Sequence, residues 1–82
     1  MRILWDEPKR LANLDKHGFD FADLDLDFFL GSLVTATVQD RQKALGSLAG
    51  RRVVVIFVVM GTEAVQVISL RPASRRERSI AK

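Results

Sequence analysis

A chain of 82 residues with 48% hydrophobic and 28% charged side chains has the composition of a folded globular protein, which excludes a disordered chain and sets the expectation of a single domain over 1–82. It has no cysteine and one histidine, His17, which excludes disulfides, thiolate metal sites and any histidine-rich zinc site. The formal charge of +3 conceals an asymmetry: Gly18 to Leu30 carries four aspartates and no base, whereas Arg71 to Lys82 carries five bases against Glu77, so a polyanion is drawn to the second segment and repelled by the first.

In chain order, Arg2-Ile3-Leu4-Trp5 reads as a short opening strand or an extended packed segment. Asp6-Glu7-Pro8-Lys9 opens a helix, because aspartate caps free N–H groups, Glu7 suits the positive dipole end and proline is tolerated in a first turn. Leu11, Ala12 and Leu14 supply its apolar stripe, Trp5 is expected to pack on it, and Gly18 ends it after Lys16-His17. A second helix is expected from Asp20 to Gly31, capped by Asp20 and stapled by Phe19 on Leu24. Phe21, Leu24 and Phe28 form its inner face. The aspartates then lie on a solvated side whose spacing does not suit a metal ion.

Leu33 to Val38 alternates as a half-buried strand with Val34, Ala36 and Val38 on one face, and Gln39-Asp40-Arg41 forms a turn. Gln42 to Leu48 reads as a strand, and Ala49-Gly50 turns it into Arg51–Met60. Between Val53 and Met60 no side chain is polar and five of eight are valine. Such β-branching suits a strand covered on both faces, so this is the expected centre of the sheet. The run is far short of the ~20 residues that span a bilayer. The amino terminus also turns polar at Asp6-Glu7 before any signal-like stretch, and a cytoplasmic protein with no membrane contact is expected. Ala64 to Leu70 alternates as the last strand, and Ser74-Arg75-Arg76-Glu77 is a capping box that starts a short basic helix.

The expected architecture is α+β: two amino-terminal helices on one face of a mostly antiparallel four-stranded sheet, and a short basic carboxy-terminal helix. The other sheet face is left bare or partly covered by the tail. No nucleotide-binding loop, nucleophile elbow or metal cluster is present, so most enzyme classes drop out. What remains is a cofactor-free, metal-free basic site. Cleaving RNA without a metal needs a base for the 2′-hydroxyl, cations for the charge on phosphorus, and an acid for the leaving oxygen. His17, Lys16 and the arginines at 71, 75, 76 and 78 have the right chemistry, and Glu77 can serve as a base or orient an arginine. Each also has a plainer reading: His17 as a charge at a helix end, Glu77 as a capping residue, Arg51 and Arg52 as edge-protecting charges.

Trp5-Asp6-Glu7-Pro8-Lys9, Asn13-Leu14-Asp15-Lys16-His17-Gly18-Phe19-Asp20-Phe21, Arg41 to Gly46, and Ile68 to Arg78 together resemble the BrnT family of type II toxins. The resemblance implies a RelE-like fold and a metal-independent ribonuclease that inhibits translation. It also implies neutralisation by a BrnA-type antitoxin, a ribbon-helix-helix protein through which alone operator DNA is bound. Carried over by position, it implies catalytic roles for Lys16, His17, Arg71, Glu77 and Arg78, and RNA binding by Arg75, Arg76 and Lys82. The chain departs from the family pattern at Pro72, where a basic residue is usual, and at Ala81, where an aromatic commonly follows. The Val38–Arg41 connection is also short. The alternative is a toxin-fold module that binds an antitoxin or RNA without cleavage; an antitoxin-like DNA binder fits less well, since no helix combines a basic face with a dimer pattern. Apolar surface left uncovered sets the further expectation that either a homodimer or an antitoxin covers it, with dimerisation left open. The ribonuclease reading requires His17 and Arg71 to lie within about one nucleotide of each other.

Overall fold

The computed structural model describes residues 1–80. In chain order they form β1 (Arg2–Trp5), α1 (Glu7–His17), a 3-10 turn (Phe21–Asp23), α2 (Leu26–Leu30), β2 (Leu33–Ala36), β3 (Arg41–Leu48), β4 (Arg51–Met60), β5 (Ala64–Pro72) and α3 (Arg75–Ile80). The sheet has five strands in the order β1-β5-β4-β3-β2, with the valine-rich β4 at its centre.

The expected antiparallel meander is present from β2 to β5. The expected count of four strands is corrected to five, because Arg2–Trp5 pairs in parallel with Ala64–Val67. The segment is too short to be stable alone, and the free edge of β5 supplies its hydrogen bonds. Two tight hairpins shape the rest. Gln39 and Asp40 at φ 58° and 63°, and Ala49 and Gly50 at φ 51° and 78°, place two consecutive left-handed residues at each turn, the twist that adjacent antiparallel strands need.

The second helix is likewise corrected: the segment Asp20 to Gly31 is a 3-10 turn followed by the one-turn helix α2. Asp20 accepts from the Ala22 N–H at 2.9 Å and Asp25 from the Phe28 N–H at 2.8 Å. Leu24, between them, is extended. Aspartate is a poor interior helix residue because its carboxylate competes for nearby N–H groups. Here two of the four aspartates each start a separate turn. Phe21, Leu24 and Phe28 are nevertheless buried together, as the inward pattern predicts.

The main core joins Phe19, Phe21, Leu24 and Phe28 to one sheet face through Ala44, Val53, Val55, Phe57, Val65, Val67 and Leu70. Arg51 covers this end, its guanidinium 5.0 Å from the Phe19 ring centre. The ring of Phe28 lies so close to β3 that a Cβ at Gly46 would stand 3.0 Å from one of its carbons. On the opposite face the buried apolar residues, among those described, are Leu45, Val54 and Ala73, with Ile56 against them. β2 is exposed throughout, so the expected half-buried pattern of Val34, Ala36 and Val38 is not realised. Helix α2 ends before it can cover that edge strand. No helix among the described residues is long and apolar enough to cross a membrane.

Candidate active site

Helix α1 does not pack through leucines. Leu11 and Leu14 are exposed, and its buried residue is Asn13. The reason lies in β5. β1 ends its pairing at Val67, and beyond it the edge of β5 is met by the helix instead of by a strand. The Asn13 side-chain amide donates to the Leu70 carbonyl at 2.8 Å and to the Phe19 carbonyl at 3.1 Å, while its oxygen accepts from the Leu70 N–H at 3.1 Å. One side chain thus does for Leu70 what a neighbouring strand would do. Gly18, at φ 76°, ends α1 as expected, donating its N–H to the Leu14 carbonyl.

That bracket holds the carboxy-terminal turn of α1 against β5. A groove of about 320 Å³ opens there, lined by Lys9, Ala12, Lys16 and His17 from the helix and by Ile68 and Ser69 from the strand. A bulge shapes its floor. Ser69 pairs with Ile56 and Val67 with Phe57, so Ile68 is the extra residue that bends β5.

A second cluster lies on the thinly covered sheet face. Arg71 grips Glu77 with both guanidinium nitrogens, Nη1 to Oε1 at 2.8 Å and Nη2 to Oε2 at 3.0 Å. Lys43 Nζ reaches Oε2 at 2.7 Å. The capping box is complete: the Ser74 N–H donates to Glu77 Oε1 at 2.8 Å, and the Glu77 N–H donates to Ser74 Oγ at 3.1 Å. Arg71 hydrogen bonds hold the Glu77 carboxyl well below the usual carboxylate range; burial opposes this, and Lys43 and Ser74 assist it. In turn, donating hydrogen bonds to Glu77 raises the proton affinity of Arg71. A carboxylate with four donors on its two oxygens orients cations and is a weak proton acceptor.

The two clusters share β5. Ser69 lines the groove, and Arg71 stands two residues further on the same face, ~7 Å along the strand. Arg71 itself is not among the groove-lining residues. Lys16 and His17 therefore meet in one place, and Arg71 and Glu77 in an adjoining one. Arg75, Arg76 and Arg78 are exposed on α3, where the capping box directs Glu77 inward and leaves them to solvent. Lys82 lies outside the described residues. Among those residues no group of three or more histidine, cysteine, aspartate or glutamate side chains could hold a metal ion.

Two members of this arrangement escape the sequence reading. Asn13 is signalled only by a polar residue standing between leucines on an amphipathic helix. Lys43 sits in the strand with the weakest pattern, where alternation of Arg41, Lys43 and Leu45 on one face is the available sign.

The model of a protein family described as the ribonuclease toxin BrnT of a type II toxin–antitoxin system matches residues 5–77. Among solved structures, the chain is similar to the crystal structure of the Brucella abortus ribonuclease toxin BrnT, with 51% sequence identity and a TM-score of 0.86. The match covers 92% of this chain and 99% of that one. No curated protein sequence matches.

Proposed function

Since the chain belongs to the BrnT family of ribonuclease toxins of type II toxin–antitoxin systems, we propose that it cleaves RNA without a metal ion, at the junction of the α1 groove and the Arg71–Glu77 cluster. The observation that carries this reading is the course of β5, whose Ser69 lines the groove holding Lys16 and His17 while Arg71, two residues on, projects its cation on the same face.

In the reaction the 2′-oxygen of one nucleotide attacks the adjacent phosphorus as its proton is removed. The bond from phosphorus to the 5′-oxygen then breaks as that oxygen gains a proton, leaving a 2′,3′-cyclic phosphate and a 5′-hydroxyl. His17, the chain's one imidazole, has the side chain most often used for such proton transfers. Lys16, Arg71 and Arg78 act on the charge that builds on the phosphorane oxygens. Glu77 takes the orienting role and holds the Arg71 fork in place. Arg75, Arg76 and Lys82 hold the strand through its phosphates. The inhibitory partner that a type II system implies is of BrnA type, with a ribbon-helix-helix domain that alone contacts operator DNA.

The test is cleavage of RNA in excess EDTA by the wild-type chain and by His17→Ala and Arg71→Ala. Cleavage that survives EDTA and falls at least ~100-fold in each variant supports the reading; loss of all activity in EDTA overturns it. One observation favours a second reading, a binding module without cleavage: the Arg71 guanidinium is engaged by the Glu77 carboxylate, 2.8 Å away. That reading predicts RNA or antitoxin binding with no cleavage under any condition.

A further inference from the structure

We propose that Lys43 is a substrate-contacting residue, whose ammonium group binds a non-bridging oxygen of an RNA phosphodiester beside Arg71. This rests on the ribonuclease reading above and adds to it a residue from a third strand.

Three features carry the inference. Glu77 does not need Lys43 as a partner, since the Arg71 fork and the Ser74 N–H already occupy both of its oxygens. A lysine held in one geometry on a strand loses rotamer freedom, and lysine is disfavoured in strands. The contact with Glu77 therefore gives a reason for where the ammonium sits but not for why a lysine stands there. Next, two cations set against one carboxylate leave a net positive charge. Both side chains remain about a third exposed, 33% for Lys43 and 34% for Arg71. An ammonium has three donors, and one contact to Glu77 leaves others free to reach an anion from solvent.

Finally, register links Lys43 to the groove. Lys43 pairs with Ile56, and Ile56 pairs with Ser69, so the three form one row across the thinly covered face. Two strand spacings separate Lys43 from Ser69, ~10 Å between backbones. Arg71 stands in the next row, paired with Val54 beside Leu45. A single strand of RNA leaving the groove over Ser69 meets Arg71 on one side and Lys43 ahead.

The experiment uses the full chain and one single-stranded RNA oligonucleotide in two forms, unmodified for cleavage and fully 2′-O-methylated for binding without cleavage. Lys43→Ala is expected to lower kcat/KM about 10–100-fold and to reduce the slope of log K against log salt by about 0.7, one phosphate contact on a single strand. Lys43→Arg is expected to keep the slope and most of the rate, whereas a merely structural lysine would leave the slope unchanged in Lys43→Ala as well. Lys43→Met keeps the side-chain stem and replaces Lys43→Ala if that variant melts early. Folded variants with unchanged slope and unchanged kcat/KM, in a wild-type chain that does cleave, overturn the proposal and leave the ribonuclease reading standing. A wild-type chain that binds but never cleaves, with the slope reduced at Lys43, overturns the ribonuclease reading and keeps the contact. A chain that neither binds nor cleaves overturns both.

Discussion

Asn13 closes both backbone hydrogen bonds of Leu70, a residue 57 positions away, at 2.8 and 3.1 Å. The helix that carries Lys16 and His17 is thereby fastened to the strand that carries Arg71. It is a polar bracket in a buried place, so its loss leaves backbone groups without partners.

Asn13→Ala is expected to cost ~2–4 kcal/mol, because the N–H and C=O of Leu70 and the C=O of Phe19 lose their partner in a buried site. Urea denaturation measures this directly. A loss under ~0.5 kcal/mol would show that water replaces the amide and that the bracket is dispensable.

Glu77 makes stability depend on pH with a defined sign. Its carboxyl is held below its ordinary value of 4.5, chiefly by Arg71. A lowered folded-state value means that the contribution is fully present above the unfolded value and is lost as pH falls below it. The wild-type chain should therefore lose stability progressively below pH 4.5, and Glu77→Gln should flatten this part of the curve. At pH 7 the same variant should cost ~1–2 kcal/mol, a modest figure because Arg71 and Lys43 are partly exposed and recover water. Melting temperatures of both chains from pH 3 to 7 give the comparison.

Gly46 and Phe28 form a contact that admits no side chain. Gly46→Val is expected to cost ~1–3 kcal/mol, since even its Cβ would approach Phe28 at 3.0 Å and Ser32 at 3.1 Å. Adding Phe28→Leu should recover part of that cost, giving a coupling of ~0.5 kcal/mol or more in a double-mutant cycle. Strict additivity would mean that the strand shifts and the ring does not.

Arg71→Lys tests the fork. Lysine keeps the charge but makes no paired contact to Glu77, so it should behave much more like Arg71→Ala than like the wild type in RNA cleavage and in growth arrest on expression without antitoxin. Full activity in Arg71→Lys would reduce the role of the bidentate geometry to charge alone.

Much of this was legible in the residues. The capping box Ser74-Arg75-Arg76-Glu77, the Gly18 cap, the valine run of β4 and the inward Phe21, Leu24 and Phe28 are local signals, set by backbone capping and by β-branching, and they appear in the fold as read. The motif residues also declared the family, because W-D-x-x-K, N-L-x-K-H-G and I-S-x-R-x-A-S-x-x-E-R stand in the stretch that the family matches and just beyond it.

Other features required the folded chain. Asp20 to Gly31 carries a helical pattern, yet its aspartates capped two short turns instead of one helix, since capping and propagation compete locally and packing decides between them. β1 had no partner until β5 offered an edge, a pairing between residues some 60 positions apart. Lys43 became part of the candidate site only when register set β3 beside β4 and the tail returned Glu77 over the sheet. Sequence alone determined the local elements, the charge asymmetry and the kinship, because these depend on neighbours along the chain. Tertiary structure decided which cations share one carboxylate and which polar side chain substitutes for a strand, because hydrogen bonds between distant segments form only where the whole sheet brings them within reach.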